Sequence, residues 1–471
     1  MPRLWPFSRR RAGEASLRHR QWHDAASTAP RLKDWLAPSS AFATNLSSPV
    51  LRDRARDLDR NNPIVRAIVQ RFQDDAIGGT GIRPQFSGPY KNQARELWAE
   101  WEDQADFAGR DLCSLQALAV QTFILDGEFL IRSVPAGGLR VPMQLQLLGC
   151  EYLDASRVSD RDLNGIRYGE DGRREGFWLY RKHPAMSVDV QSILVPQMGP
   201  EQPLGALHVF RSPQPGVERG VSLLAPAMLS LRQLHTFLEA ALTKQQISAL
   251  FCGFAISPDG TNPLNAQPGA NGSFTATLEP GTFVFLDGGQ DVRFTDPPDQ
   301  GVWFDPFVKA QLRLIASAVG MPYELLANDL SGVTFASGRH SILAYRRRLE
   351  ALQYNVMVAQ FLRPVLQVWL RLAIGLGLLP GTVQDYPVRW IGPVIQALDP
   401  RQEVQSDIAR VRAGFISRSE IVARDGWDAE QIDEEIATDN ARADRLGNIY
   451  DSDARQRTLQ GQAQAQKNER A

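Results

Sequence analysis

Two helical patterns in the middle of the chain bracket a turn-rich segment, and this order restricts the fold more than any other feature. The first pattern runs from Ser222 to Gly253, with an apolar residue at every third or fourth position. Its charged residues are Arg232, Glu239 and Lys244. A surface helix of this length normally carries more charge, so the pattern predicts a helix covered by protein around most of its circumference.

The second helical pattern spans residues 303–320 and returns the chain to the body of the protein. Asp305 is predicted to cap it, Pro306 to occupy its first helical position, and Gly320 to end it. Residues 254–302, between the two helices, are rich in Gly, Pro, Asn and Asp. Short alternating segments within them predict a small β-rich module at the far end of the helix pair. These segments cover residues 273–277, 282–286 and 291–295.

A polar loop joins the second helix to the next long helical pattern. The loop sequence DLSGVTFASG spans residues 329–338 and places the apolar Val333 and Phe335 among Gly, Ser and Thr. A simple hinge does not need two apolar side chains, so the loop is a candidate functional element. After it, apolar residues at alternating spacings of three and four predict a helix over residues 339–374, kinked at Pro364.

The first part of the chain begins with a basic segment and continues as mixed helix and strand. Residues 1–54 are rich in Arg and Ser and weakly periodic, which predicts a flexible arm; a transit peptide is the alternative interpretation. A helix is predicted with Pro63 in its first turn, directly after Asn61 and Asn62, since Pro suits the first helical position. Further helices are predicted over residues 92–103 and 112–125, and strands over residues 128–134, 144–148, 165–168 and 177–180.

The C-terminal part of the chain is predicted to be helical. One helix is expected after Asp399, and another after Ser417, which has the spacing of a capping box with Glu420. A third helix is expected from Asp428 to residue 446. The tail, residues 447–471, is rich in Gln and Ala and is predicted to fray or to be disordered.

The balance of acidic and basic side chains excludes the class of proteins that bind polyanions through a large positive net charge. The chain has 471 residues, 52 basic and 53 acidic side chains, and a formal net charge of −1. Any contact with nucleic acid must therefore be local or weak. The cysteines, Cys113, Cys150 and Cys252, form no CxxC pair, which favours a reducing compartment. The longest apolar run, residues 365–379, is shorter than the roughly 20 residues that a membrane span needs.

No catalytic site, metal site or cofactor is predicted from the motifs. Residues 77–82, IGGTGI, lack the Lys of a phosphate-binding loop, and the histidines form no HExxH pair. Residues 287–291, DGGQD, lack the spaced carboxylates of a calcium loop. Two alternatives stay open: an α+β enzyme that uses residues 254–302 as a lid, with Asp287 or His183 as the catalytic residue, and a scaffold protein that uses the basic arm.

Three segments carry a resemblance to a known family. Residues 60–85 contain Asn-Asn, a helical pattern and a Gly-rich turn, and residues 219–234 contain Gly-Val-Ser followed by Ala-Pro. Residues 321–353 contain Pro-Tyr-Glu and Asp-Leu-Ser-Gly-Val before an Arg-rich helical pattern. In this order the segments resemble the lambda-type family of phage portal proteins, and the resemblance extends over residues 55–450.

The resemblance implies an α+β portal fold and a ring-shaped homo-oligomer, usually dodecameric, at one vertex of a capsid. Terminase would pump double-stranded DNA through the ring, with no sequence preference, and the DNA would later leave by the same route. The major capsid protein and a head–tail adaptor would dock on the ring. The resemblance also implies a place in the virion, and in the host cytoplasm during assembly, with no enzymatic activity, cofactor or membrane.

The resemblance further assigns parts and surfaces to this chain. The parts are the wing (55–221), first stem helix (222–253), clip (254–302), second stem helix (303–320), tunnel-loop region (321–338), long wing helix with its connection (339–398) and crown helices (399–446). The tunnel-loop residues facing the channel would be Ser331, Gly332, Val333, Thr334, Phe335, Ser337 and Gly338. The stem residues lining the channel would be Arg232, Glu239, Lys244, Lys309 and Arg313. The subunit interface would include Leu231, Leu238, Ala241 and Phe307.

Overall fold

The computed structural model describes residues 40–186, 191–249, 253–256, 267–268, 274–275, 291–294, 303–393, 399–450, 453 and 455. The α-helices are α1 (Ser40–Asn61), α2 (Pro63–Ala76), α3 (Lys91–Glu102), α4 (Leu112–Asp126), α5 (Met228–Ala249), α6 (Phe304–Val319), α7 (Tyr323–Ala327), α8 (Phe335–Leu352), α9 (Arg363–Gly375), α10 (Pro400–Arg412), α11 (Arg418–Arg424) and α12 (Ala429–Leu446). The strands are β1 (Arg83–Phe86), β2 (Glu128–Pro135), β3 (Met143–Leu148), β4 (Asp162–Leu163), β5 (Ile166–Tyr168), β6 (Arg174–Tyr180), β7 (Ser192–Pro196), β8 (Ala206–Phe210), β9 (Gly253–Ile256), β10 (Gln267–Pro268), β11 (Phe274–Thr275), β12 (Asp291–Phe294) and β13 (Val388–Ile391).

Antiparallel strands form two sheets in the first half of the chain. β2 lies at the centre of the sheet β3-β2-β8, where Ile131 pairs with Leu147 on one side and with Leu207 on the other. The second sheet has the order β4-β5-β6-β7. The four strands predicted by alternation are confirmed as β2, β3, β5 and β6, and the helices predicted over 92–103 and 112–125 are confirmed as α3 and α4.

The helix α1 shows that the prediction of a flexible arm is wrong over residues 40–54, which are helical. α1 docks on the body through polar contacts that sequence periodicity does not reveal. Ser48 Oγ donates a buried hydrogen bond of 3.2 Å to the carbonyl of Gly220. Arg56 forms paired hydrogen bonds to Asp126 and Glu151, with its NH2 atom 2.6 Å from Asp126 Oδ2. The arm residues 1–39 lie outside the described part of the chain.

The long helix predicted after the loop is the core element of the fold. α8 continues through a π-helical stretch, Gln353–Leu362, into α9, so that helical backbone extends from Phe335 to Gly375. The π-helical stretch ends just before Pro364, whose ring and missing N–H disturb the hydrogen bonds of the preceding turn. The segment has the length and composition of a membrane span, but 56% of its most apolar part is buried within the protein. Trp369, for example, is fully buried with its ring 5.0 Å from Trp98.

Both helices that bracket the β-rich module begin at positions that differ from the prediction. α5 begins at Met228 and not at Ser222, because Pro226 cannot donate a helical hydrogen bond and residues 223–227 form turns. α6 begins at Phe304, so that Asp305 lies inside the first turn and is not the cap. Gly320 ends α6 as predicted, with φ of +71°.

The predicted helix caps of the C-terminal part are confirmed with one exception. The side chains of Asp399, Ser417 and Asp428 accept hydrogen bonds from backbone amides at the starts of α10, α11 and α12. The Glu420 side chain does not complete the capping box with Ser417; it pairs with Arg389 of β13 instead.

The β-rich module is described only in its strands. The segments predicted at 273–277 and 291–295 contain β11 and β12, and the segment 282–286 lies outside the described residues. β12 pairs with β9, and β10 pairs with β11, both antiparallel.

Gly127 lies at a close approach of two backbone segments in the first half of the chain. It has φ of +83°, and a Cβ atom there would lie 2.2 Å from the carbonyl carbon of Val221. Gly109 has nearly the same backbone angle, +85°, but no heavy atom lies within 4 Å of its Cβ position. We expect Gly109→Ala to lower the free energy of unfolding by about 1–2 kcal/mol, and Gly127→Ala to cost about 3 kcal/mol or more because backbone must also move. Urea unfolding of both variants measures this difference, and equal midpoints would contradict it.

Candidate functional site

A buried ion pair joins the central sheet to the segment that leads into α5. The Glu128 carboxylate of β2 accepts hydrogen bonds from Arg219 (NH2 to Oε1, 2.6 Å), from His208 Nε2 (3.0 Å) and from the Gly220 amide (2.8 Å). Glu128 is 2% exposed and Arg219 is 7% exposed. Burial alone would raise the pKa of the Glu128 carboxyl, but the charge of Arg219 and the hydrogen bond from His208 hold that pKa well below its usual range.

Glu128, Cys150 and His208 also form the cluster that most resembles a metal site, since their ligand atoms lie within 4.8 Å of one another. The chemistry does not fit a metal. Arg219 already bonds to both oxygens of the carboxylate, and a bound cation would face its guanidinium in a buried space. Burial raises the pKa of the Cys150 thiol, which keeps it protonated and a weak ligand. We therefore interpret the cluster as a structural contact that holds β2, β8 and the segment before α5 together.

The predicted tunnel loop is shorter in the structure than in the sequence interpretation. α8 begins at Phe335, so Phe335, Ser337 and Gly338 belong to its first turn and the prediction that they form loop is wrong. The cause is a capping box: Thr334 Oγ1 accepts from the Ser337 amide, and Ser337 Oγ accepts from the Thr334 amide at 3.1 Å. The loop that remains consists of residues 328–334.

The apolar residue exposed at the loop is one that the sequence interpretation did not select. Leu330 is 72% exposed. Val333 is half-buried, and its Cγ1 atom lies 3.1 Å from the position of a Cβ on Gly338, so Val333 packs against the first turn of its own helix α8. The side chain of Phe335 lies outside the described part of the structure.

Asp329 connects the loop to α7 and to α6. Its Oδ1 atom accepts from the Ser331 amide (3.0 Å) and its Oδ2 atom accepts from the Tyr323 hydroxyl (2.8 Å). The hydrogen bonds from Ser331 and Tyr323 hold the pKa of Asp329 well below its usual range, so the residue is anionic at neutral pH. Lys309 of α6 lies 3.6 Å from this carboxylate and 3.0 Å from Asp305.

The five stem residues predicted to line a channel divide into two groups. Lys309 and Arg313 of α6 are engaged with their own chain, since Lys309 pairs with Asp305 and Asp329, and the Arg313 guanidinium lies 5.1 Å above the ring of Tyr323. The residues of α5 are exposed: these are Arg232, Glu239 and Lys244. Among them Glu239 lies 3.3 Å from His235 one turn earlier.

The predicted subunit-interface residues also differ in what they can contact. Leu231 is fully buried inside its own chain, so the prediction that it meets a neighbouring subunit is wrong. Leu238 is partly buried against the core, and Ala241 is half-buried. Phe307 is 45% exposed. Periodicity identifies the apolar face of α5, but it cannot tell whether the chain itself covers that face.

An exposed apolar stripe runs along α6, and the sequence interpretation selected Phe307 from it but not the other members. Trp303 is 84% exposed, Phe307 45% and Leu314 58%. With Ala310 and Ser317, which are also exposed, they follow helical spacings of four, three, four and three. This spacing of uncharged residues was the signal available in the sequence.

The stripe continues into an aromatic cluster at the N-terminal end of α6. Phe237 of α5 lies with its ring 5.8 Å from Phe304 and 5.1 Å from Phe307. These rings, with Trp303 and Pro306, line an open groove of about 630 Å³. Exposed apolar surface of this kind is typical of a protein–protein interface.

The two catalytic candidates of the enzyme interpretation, His183 and Asp287, do not form a catalytic site in the described part of the structure. His183 is half-exposed and lies 3.4 Å from Glu151, with its ring 5.4 Å from that of Tyr152. Asp287 lies outside the described residues.

Comparison with known proteins assigns the chain to a family. The model of the phage portal protein lambda family matches residues 28–353. A probable portal protein of Halomonas phage phiHAP-1 is 24% identical over 424 residues, covering 84% of this chain and 81% of that protein. Portal protein B of Escherichia phage lambda is 21% identical over 467 residues, covering 85% of this chain and 86% of that protein.

Two similar solved structures come from gene transfer agent particles. A chain of the native particle virion has a TM-score of 0.45 and 18% identity, with 81% of this chain and 93% of that chain covered. A chain of the empty-particle neck, computed with C6 symmetry, has a TM-score of 0.47 and 19% identity, with 79% and 93% covered.

The chain therefore belongs to a class of structural virion proteins and not to a class of enzymes. It is a member of the lambda family of phage portal proteins, as the resemblance of its three segments implied.

The buried position of His208 generates a pH prediction. Burial holds the pKa of His208 below its usual value, so the folded protein keeps the ring neutral while the unfolded chain takes up a proton below about pH 6.5. Stability is therefore lost as the pH falls from 7 towards 5, by up to about 1.4 kcal/mol per pH unit. We expect His208→Gln to flatten this part of the curve, measured as the urea midpoint against pH. The half-exposed His183→Gln variant is the control, and the same slope in both variants would refute the assignment.

Proposed function

We propose that this portal protein assembles as a cyclic homo-oligomer, a dodecamer, around an axial channel for double-stranded DNA. The observation that carries the proposal is the uncovered apolar stripe of α6, because a single chain leaves Trp303, Phe307 and Leu314 in water. Fully burying a side chain of this kind is worth about 1.5–3 kcal/mol, and burying the exposed part of a half-exposed one is worth a fraction of that. A neighbouring copy that covers the stripe supplies this hydrophobic stabilisation. Repetition of one head-to-tail contact around an axis closes a ring.

The subunit interface in this proposal lies on α6 and on the exposed part of α5. Phe307 and the half-buried Leu238 and Ala241 belong to it, and Leu231 does not, because its own chain covers it. The aromatic groove beside Phe237 would receive apolar side chains of the next subunit. Aromatic residues are enriched at the buried centres of such interfaces.

The channel in this proposal has a wall that holds DNA weakly. The net charge of the chain is −1, and Lys309 of α6 is neutralised by two carboxylates of its own chain. A wall rich in free cations would bind phosphates through counterion release and would slow a moving strand. Arg232, Glu239 and Lys244 supply a mixed charge on the exposed face of α5. No base-specific contact is needed.

The tunnel loop in this proposal is the segment 328–334, projecting towards the axis. Asn328, Leu330, Ser331, Gly332 and Thr334 are its exposed residues. The Ser331 hydroxyl already donates to Asp329 and the Thr334 hydroxyl bonds to Ser337, so the contact with DNA that this proposal assigns to the loop is the apolar one of Leu330. Gly332 has φ of +78°, which fixes the turn in a conformation that a residue with a Cβ rarely adopts.

The remaining parts follow the portal plan with the boundaries of the structure. We infer a wing that begins at α1, a stem of α5 and α6, a clip in residues 253–302, and a crown of α10–α12. Terminase, the major capsid protein and a head–tail adaptor are the partners proposed for these surfaces. The protein would assemble in the host cytoplasm and remain at the portal vertex of the virion. These partners follow from the family and from no particular contact in this chain.

The ring interface is tested by placing a charge on the stripe. We expect Leu314→Glu to abolish or greatly reduce ring formation, because the new carboxylate would be buried without a partner in the interface. Mass photometry measures the fraction of protein in rings. Leu163→Glu is the matched control, since Leu163 is 48% exposed and lies on β4, away from α6. Rings of normal size and stability from Leu314→Glu would contradict this interface.

The tunnel loop is tested separately with rings that assemble normally. We expect Leu330→Ser to lower the retention of packaged DNA several-fold, because the exposed apolar tip is lost while the Asp329 contacts stay in place. DNA released from filled particles under mild heating is the measurement. Leu376→Ser, at another exposed leucine (53%), is the control. Unchanged retention by Leu330→Ser would remove the loop tip from the mechanism.

A further inference from the structure

Within the described part of the chain, three ion pairs between the helices α10–α12 and the body have the same polarity. In each pair the body supplies the cation, and the start of a C-terminal helix supplies the carboxylate. The pairs are Lys91–Glu430, Arg95–Asp428 and Arg389–Glu420. Two of these cations lie on α3 and the third on β13, so the contacts fix α11 and α12 at separate points.

The carboxylates of these pairs also have a role within their own helices. Asp428 caps α12 by accepting a hydrogen bond of 2.9 Å from the Glu430 amide. Glu420 and Glu430 lie in the first turns of α11 and α12, where the helix dipole favours a negative charge. Each carboxylate therefore remains stabilised when its body cation moves away. Detachment from the body does not require the helices to melt.

Apolar contact between these helices and the body is small. The buried hydrophobic residues of segment 399–450 are Ala423, Ala429 and Ala443, and none belongs to the main core cluster. A groove of about 770 Å³ separates α10 and α11 from α8 and β13. Aromatic residues on its two sides, Tyr354 and Trp427, remain 49% and 57% exposed.

We propose that the three ion pairs form an electrostatic latch, which holds α10–α12 on the body at low ionic strength and releases them, still helical, when the pairs are screened. A polyanion that presents phosphates to Lys91, Arg95 and Arg389 acts in the same direction, because it competes with the carboxylates for the same cations. The latch follows from contacts within one chain and does not depend on the ring or the channel.

The size of the effect follows from the exposure of the pairs. The side chains of Arg95 and Asp428 are 35% and 16% exposed, and those of Arg389 and Glu420 are 48% and 45% exposed. Exposed ion pairs each change an equilibrium constant by a factor of roughly two to five. Reversing two cations is therefore expected to raise the detached population by about four- to twenty-fivefold. Screening by salt acts on the same contacts, since the Debye length falls from about 10 Å at 0.1 M to about 3 Å at 1 M.

The test measures the distance between the body and α12 in the full chain. Spin labels are placed at the exposed positions Gln93 of α3 and Ala441 of α12, with Cys113 and Cys252 replaced by Ser. Labelled protein is diluted with unlabelled protein, so that pulsed dipolar spectroscopy reports distances within one chain. We expect a longer distance to grow in from about 0.1 M to about 1 M NaCl, or on addition of a short DNA duplex at low salt.

Charge reversal distinguishes the latch from a general effect of salt. Lys91→Glu with Arg95→Glu should show the longer distance at low salt, and adding Glu430→Lys should partly restore the shorter one. Arg140→Glu is the matched control, because it breaks an exposed pair of 3.1 Å between Arg140 and Glu100 within the body. One short distance in every variant and at every salt concentration would overturn the proposal. Loss of helical circular dichroism together with the distance change would overturn the claim that the helices stay folded. A duplex without effect would overturn the competition by phosphate.

Discussion

The first half of the structure depends on the hydrogen bonds that the buried Glu128 carboxylate accepts. The carboxylate draws together the central strand β2, His208 of β8 and the Arg219–Gly220 segment that leads into α5. Removing one partner of such a pair leaves an uncompensated buried charge and costs about 3–5 kcal/mol. Because Gly127 and Gly220 lie backbone to backbone beside the pair, the contact also fixes the distance between the sheet and the start of α5. The sheet and α5 are therefore rigidly connected.

Features that depend on local hydrogen bonds were predictable from the sequence. Asn62, Asp399 and Asp428 cap helices because their side chains reach amides two or three residues ahead, and this needs no information about the rest of the fold. The same reasoning fails where a distant partner competes. Glu420 leaves its expected capping box for Arg389, and Asp305 pairs with Lys309 inside the first turn instead of capping the helix. Sequence spacing identifies such a side chain, but only the fold decides which partner it takes.

At the candidate site, too, sequence periodicity identifies a residue but does not identify what contacts it. A helical stripe such as that of Leu231 predicts burial, but periodicity does not say whether the chain itself or a neighbour provides the cover. The structure separates the two cases: Leu231 is covered, whereas Leu314 on α6 is not. The loop boundary was missed because the capping box of Thr334 and Ser337 uses two short hydroxyl side chains, which also suit a flexible turn.

The contact of Lys309 with Asp329 has a mechanical consequence. The loop is bonded to α6 at this carboxylate and is anchored again at Thr334, where α8 begins, so it cannot swing freely between two helices. In a ring, the aperture at the loop would therefore depend on the tilt of α6. A small change of tilt in every copy of that helix would narrow or widen the aperture.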